Sequence, residues 1–274
     1  MPVIGIDDPG DPRVADYRDI RERDLVGRAR LFVAEGKVVL RVLLGQASRF
    51  RPVSVLVAEK RLPGLAGLLR AVPTDVPVYA VSQKVMDGIA GFPIHRGILA
   101  TARRTEVEEA GALLARVPAR ALVLVLLGIA NHDNMGGLFR NAAAFGVHAV
   151  LVDAGSCDPL YRKAIRVSVG GVLVVPFARL SRGADPLAIV EENGFTALAL
   201  SPTGIADLRA VEPPPRAALV LGAEGRGLPR TILDRCRTVR IPMSGSFDSL
   251  NVATASGIAL HHVASAAVKP GGEA

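Results

Sequence analysis

From residue 121 onward, short uninterrupted apolar runs recur, each closed by glycine or a polar turn and followed by a stretch of mixed polarity. Residues 121–127, ALVLVLL, show no polar alternation at all. Strands buried on both faces of a parallel sheet have this pattern. The signal returns at 149–152, 172–175, 196–200 and 217–221, and the intervening stretches 138–145, 160–167 and 186–193 read as helices. Such alternation predicts an open α/β sheet whose ligands lie beyond the carboxyl ends of its strands.

Residues 20–102 alternate less regularly. Helices are predicted over 21–30, 37–46, 65–72 and 82–90, the last capped by Ser82, and strands over 53–58, 76–81 and 97–102. Stretch 103–120 reads as a helix capped by Thr105, with acidic Glu106, Glu108 and Glu109 in its first turn and Pro118 as its stop. The chain therefore divides into an N-terminal α/β domain over 1–102, a helical linker over 103–120 and a second α/β domain over 121–274.

Composition narrows the picture. Half of the 274 residues are hydrophobic and 22% are charged, enough apolar material for a sizeable core and too much for global disorder. No apolar run approaches the ~20 residues of a membrane span. The first residues are acidic where a secretion signal is basic, so the expectation is a soluble, cytoplasmic protein without membrane contact. Cys157 and Cys236 sit in no metal-ligand spacing and read as reduced, buried or half-buried thiols. The five histidines complete no ligand set either, so no metal is expected. His261 and His262, both on the final predicted helix, read as structural. The net charge of +7 favours a polyanionic partner. With no Trp, three Tyr and eight Phe, an aromatic stacking platform for single strands is not expected.

Three predicted strand ends carry candidate chemistry. After 121–127 come Asn131, His132, Asp133 and Asn134 as a polar turn, then Gly136 and Gly137, then Arg140 on the first turns of a helix. A helix start beside an arginine suits an anion such as phosphate. After 217–221, Gly222, Gly225 and Gly227 surround Glu224, a carboxylate expected to be buried and therefore hydrogen-bonded. Near the C-terminus, Ile241, Pro242 and Met243 leave a strand, a turn follows, and Asp248 or Ser249 is expected to cap a helix starting near Leu250. Its small residues, Ala253, Ala255, Ser256, Gly257 and Ala259, allow close packing.

Taken together, these stretches resemble the three motifs of the SpoU (TrmH-like) branch of the SPOUT methyltransferases. The first resembles Asn-x-x-Asn-x-Gly followed by Arg, at Asn131, Asn134, Gly136 and Arg140; the second Gly-x-Glu-Gly-x-Gly, at Gly222, Glu224, Gly225 and Gly227. The third resembles Ile-Pro-Met, a loop and Ser-Leu-Asn-Val, at Ile241, Pro242, Met243, Ser249, Leu250, Asn251 and Val252. Arg166, Ser168 and Gly170 resemble the Arg-x-Ser-x-Gly that lies between the first two. His132 and Ala223 depart from the family, where Pro and Ser are frequent. The resemblance covers 121–265; residues 20–102 are more loosely similar to the family's L30e-like substrate-binding domain, through the stretch FVAEGKVV among others.

The resemblance implies a parallel-sheet SPOUT domain with a deep trefoil knot, preceded by a smaller L30e-like α/β domain that recognises RNA. It implies a homodimer that transfers a methyl group from S-adenosylmethionine to a ribose 2'-hydroxyl of ribosomal or transfer RNA, and the presence of an N-terminal domain slightly favours ribosomal RNA. Gly222, Ile241, Met243, Leu250 and Asn251 would contact the cofactor. Arg140 would lie nearest the acceptor hydroxyl, Asn134 and Glu224 would hold Arg140 and the loops, and Ser249 and Asn251 would position substrate and cofactor. A guanidinium keeps its proton at neutral pH, so Arg140 is expected to bind phosphate and stabilise a developing alkoxide rather than act as a lasting base. The alternative is an RNA-binding protein of the same fold without catalysis, against which the presence of all five polar residues argues. A dinucleotide-dependent oxidoreductase lacks its glycine fingerprint here.

Overall fold

The computed structural model describes residues 3–18, 30–106, 108–245 and 248–267. The chain forms two compact units, 1–106 with 160–174 and 107–159 with 175–274. The helix predicted over 21–30 lies, but for Arg30, outside the described residues.

The first unit is built on β1 (Val3–Ile6), β2 (Leu31–Glu35), β3 (Pro52–Ala58), β4 (Val78–Val81) and β5 (Ile98–Arg103), in the order β1-β4-β3-β5-β2. β5 runs antiparallel to both neighbours, and β1 and β3 flank β4 in parallel. Helices α1 (Lys37–Leu43), α2 (Leu62–Leu69) and α3 (Gln83–Ala90) follow β2, β3 and β4. Ser82 caps α3 as expected, its hydroxyl accepting from the Val85 amide at 3.2 Å. β1 was not foreseen, because its four residues are too short and too near the acidic start to stand out.

Stretch 160–174 belongs to this first unit and explains a second departure. Residues 172–175 were expected as a strand but form a 3-10 turn, Gly171–Leu173. Its carbonyl at Leu173 accepts from the Arg49 amide, and a side chain at Gly170 would collide with Val42 at 2.9 Å. Packing against neighbouring elements thus overrides the β-branched composition. Glu35, 5% exposed at the end of β2, is paired with Arg162 at 2.8 Å and Arg166 at 3.6 Å. The Arg162 guanidinium also lies 4.8 Å from the Phe92 ring centroid.

The second unit follows from α4 (Ala110–Ala115), which replaces the long helix expected over 103–120. Its cap is Glu109, accepting from the Ala112 amide at 3.1 Å, and not Thr105. β5 runs on to Arg103, so the first residue of the expected helix belongs to a strand. Then come β6 (Ala121–Leu126), α5 (His132–Ala144), β7 (Ala149–Val152), the first-unit helix α6 (Arg162–Val167), β8 (Phe177–Arg179), α7 (Pro186–Glu192), β9 (Thr196–Leu200), β10 (Ala206–Asp207), β11 (Arg216–Leu221), α8 (Arg230–Leu233), β12 (Arg237–Arg240) and α9 (Val252–Ala267).

The seven-stranded sheet is parallel throughout, in the order β10-β12-β9-β11-β6-β7-β8. Val123, Leu124, Val125 and Leu126 of β6 are all 0% exposed, as the uninterrupted apolar run requires. Truncating one such leucine to alanine costs about 2–5 kcal/mol. Among the described residues no helix is long and apolar enough to cross a membrane.

Candidate functional site

β12, β9 and β11 are adjacent in the sheet, and the segments leaving their carboxyl ends surround a cavity of about 570 Å³. Leu200, Ser201, Pro202 and Thr203 come from the end of β9, residues 221–228 from β11, and Ile241, Met243 and 248–252 from the segment between β12 and α9. A cavity of this size suits a small-molecule cofactor, and its place is the one that a parallel α/β sheet dictates. Its apolar walls carry the carboxylates of Glu224 and Asp248 and the guanidinium of Arg226.

The loop after β11 is a tight turn closed on itself. The Gly227 amide donates to the Ala223 carbonyl at 3.0 Å, and a side chain on Gly222 would lie 2.6 Å from the Gly227 carbonyl carbon and the Leu228 nitrogen. Gly225 and Gly227 have φ of +80° and +63°, a backbone region that glycine enters without strain. Glu224 stands exposed on this turn, which corrects the expectation of a buried carboxylate: a turn this short leaves its side chain at the cavity mouth.

The polar turn expected at 131–134 is instead the start of α5. Asn131 caps it, its side chain accepting from the Asp133 amide at 2.7 Å, so Asn134 already lies on the helix and is 5% exposed. Gly137 serves helix packing: a side chain there would meet the Ala253 Cβ at 2.6 Å. Asn141 seals the same contact between α5 and α9, donating to the Ala253 carbonyl at 2.6 Å and to the Ser256 hydroxyl at 2.8 Å.

Asn251 joins the three motifs. Its Oδ1 accepts from the amides of Ala253 at 2.9 Å and Thr254 at 3.3 Å, so Asn251 caps α9, and neither Asp248 nor Ser249 does. With Oδ1 so used, Nδ2 must point the other way. It donates to Asn134 Oδ1 at 2.8 Å and to Glu224 Oε1 at 3.0 Å. Gly222, Ile241, Met243, Leu250, Ser249 and Glu224 line the cavity with Asn251; Asn134 reaches it only through Asn251, and Arg140 is not part of the lining. Arg140 projects exposed from the third turn of α5. Neither Asn134 nor Glu224 hydrogen-bonds it, contrary to expectation; both meet on Asn251 instead. Leu200 to Thr203, Arg226 and Asp248 were not foreseen as site residues. The run at 196–200 was legible as a strand, and the strand-end rule would have pointed to the residues after it.

Comparison with known proteins places this site in a family. Residues 121–261 match the SpoU rRNA methylase family. An uncharacterized tRNA/rRNA methyltransferase of Mycobacterium bovis is 41% identical over 95% of this chain and 91% of its own length. The 23S rRNA (guanosine-2'-O-)-methyltransferase RlmB of Vibrio cholerae is 31% identical over 80% of this chain and 90% of its own. In fold, the chain is similar to the SpoU methyltransferase AviRb of Streptomyces viridochromogenes in its AdoMet complex, with a TM-score of 0.81 and 20% identity over 95% of this chain and all of the other.

Proposed function

The chain belongs to the SpoU rRNA methylase family, and from that premise we infer that it methylates a ribose 2'-hydroxyl of structured RNA with S-adenosylmethionine as donor. The observation that carries this reading is Asn251, which ties Asn134 and Glu224 together at the mouth of the cavity. Apolar walls for a flat ring and carboxylates for hydroxyl and ammonium groups fit S-adenosylmethionine. When bound, the cofactor supplies an activated methyl on a sulfonium, and its departure leaves a neutral thioether. Gly222, Ile241, Met243, Leu250 and Asn251 would hold it, largely through backbone groups.

The chemistry that the cofactor would supply is transfer of that methyl to the ribose oxygen, the hydroxyl proton passing to water. Arg140, exposed on α5, would bind the RNA phosphate and stabilise the oxygen as negative charge develops on it. Asn134, Glu224 and Asn251 would fix the loops so that the acceptor approaches in line, and Ser249, exposed at the cavity, would orient the RNA.

The remaining features belong to the same proposal. The cytoplasmic enzyme acts as a homodimer whose partner subunit helps to hold the RNA. Its second unit is knotted, a reading that the family likeness supports. The N-terminal domain recognises RNA by shape and phosphate contacts, so affinity falls steeply with salt. Ribosomal RNA is the target class, supported by the likeness to RlmB.

The test is methyl transfer from labelled S-adenosylmethionine to ribosomal and transfer RNA, read as a ribose resistant to alkaline cleavage. Titration calorimetry with S-adenosylmethionine alone separates the two readings of the fold. Micromolar binding together with transfer supports the enzyme, whereas no binding favours the non-catalytic RNA-binding protein.

A further inference from the structure

The turn between β6 and α5 is held from below by the turn after β7. The Asp153 amide donates to the Leu126 carbonyl at 3.0 Å, continuing the strand pairing past the end of β7. Asp153 Oδ1 then accepts from the Gly128 amide at 3.0 Å and from the Ser156 hydroxyl at 2.5 Å. The same Ser156 oxygen accepts from the Ile129 amide at 2.8 Å, and the Cys157 amide donates to the Ile129 carbonyl at 2.8 Å. Arg179, at the end of β8, fastens the far side by donating to the Ser156 carbonyl at 3.0 Å. Ser156 and Ile129 are 6% and 2% exposed, so the bond between them is sheltered from water.

The clamp grips a particular place. Gly128, with φ of +70°, is where the chain turns out of β6. A side chain on it would lie 3.3 Å from the Ala223 Cβ, so Gly128 is also where this turn touches the loop bearing Glu224. Three residues later Asn131 caps α5, which carries Asn134 and Arg140. We propose that Asp153 and Ser156 are positioning residues for methyl transfer: by fixing the Gly128 and Ile129 amides, they set the start of α5 and hence the place of Asn134 and Arg140 relative to the cofactor loop. This inference rests on the methyltransferase reading. Neither residue lines the cavity, so their effect is on orientation and not on cofactor contact.

The variants are Asp153→Ala and Ser156→Ala, with Asp153→Asn and Ser156→Thr, which keep an acceptor oxygen, as rescues. In the full-length protein, each alanine variant is expected to lower kcat by about 10- to 100-fold, the scale of a misplaced reacting group. S-adenosylmethionine affinity should stay within about twofold of the parent, and each rescue should recover most of kcat. Unchanged kcat in both alanine variants overturns the proposal. So does a loss shared equally by the conservative variants, or a fall in cofactor affinity equal to the fall in kcat. Arg140→Ala is assayed beside them. If it is inactive while the clamp variants are fully active, the clamp fails and the methyltransferase reading stands. If the parent itself transfers no methyl group, that reading fails.

Discussion

Asn251 Nδ2 lies 2.8 Å from Asn134 Oδ1, a hydrogen bond that joins residues 117 positions apart and binds the start of α9 to the start of α5. The same nitrogen donates to Glu224, and the amide's oxygen is committed to the helix cap. Asn251 is thus oriented by its neighbours on every side. Replacing it with aspartate keeps the capping oxygen but removes both donated bonds and sets a second carboxylate against Glu224. Asn251→Asp is expected to leave α9 capped, to lose stability through the two missing hydrogen bonds and the carboxylate repulsion, and to lower methyl transfer by at least about 100-fold, as removal of a preorganised donor does elsewhere. Asn251→Ala should lose about 1 kcal/mol of stability in addition. Circular dichroism melting beside the transfer assay separates these losses.

The contact between Gly137 and Ala253 gives a prediction about packing alone. A methyl group on Gly137 would stand 2.6 Å from the Ala253 Cβ, so Gly137→Ala forces α5 and α9 apart. Overpacking of this kind costs about 1–3 kcal/mol despite alanine's better helix propensity. Adding Ala253→Gly removes the clash, and the double variant should be more stable than the Gly137→Ala single. Urea unfolding of the four proteins measures the coupling. Additive effects would mean that the helices do not cross as closely as described.

Much of this arrangement was legible in the sequence, for identifiable reasons. β6, β7, β9 and β11 are apolar runs buried on both faces, and burial leaves so little choice of residue that the pattern shows through. Gly222, Ile241, Met243, Leu250 and Asn251, which the family resemblance gives as cofactor contacts, all line the cavity. What escaped detection depends on partners distant along the chain. Residues 172–175 look like a strand until Val42 and Arg49 pack against their turn. Asn251, and not Asp248 or Ser249, caps α9, and its other end is held by Asn134 and Glu224, partners far away along the chain. The turn at 131–134 reads as a loop because asparagine favours both turns and caps, and only the Asp133 amide bonded to Asn131 decides between them.

The two cysteines are expected to be slow to react. Burial, aided by the Asp158 charge, pushes the Cys157 thiol up to about 11; burial, aided by Glu191, does the same for Cys236. Alkylation needs the thiolate. At pH 8 only about one thiol in a thousand is ionised at such a value, against roughly a quarter at the ordinary value of ~8.5. Iodoacetamide labelling followed by mass spectrometry should therefore be slow at pH 8 and rise about tenfold per pH unit toward pH 10. Labelling of both residues at the rate of a free cysteine at pH 8 would contradict the burial described.

Glu35 and its two arginines predict an asymmetric pair of outcomes. Glu35→Ala removes the buried carboxylate that pairs at 2.8 Å with Arg162, whose side chain is 18% exposed. Breaking one partner of a buried pair costs about 3–5 kcal/mol. Removing both charges with Glu35→Leu and Arg162→Leu should recover most of that loss, because the desolvation cost disappears with the charges. The stability of the first unit, followed by denaturant unfolding, is the readout. A Glu35→Ala variant as stable as the parent would mean that the pair adds no net stability.

Arg140 tests the chemistry itself. It stands exposed on α5, outside the cavity lining, and neither Asn134 nor Glu224 bonds it. In the role proposed for it, the guanidinium contacts RNA and does not hold the cofactor. Lysine keeps the charge but loses the planar fork that grips a phosphate in two places. Arg140→Lys should bind S-adenosylmethionine with the parent's affinity in titration calorimetry and lose about 100- to 1,000-fold in transfer rate, the scale of one lost oxyanion donor. A lysine variant that retained full activity would reduce Arg140 to a point charge for RNA attraction. One that lost cofactor affinity and turnover in equal measure would place Arg140 in the cofactor site, against the lining described.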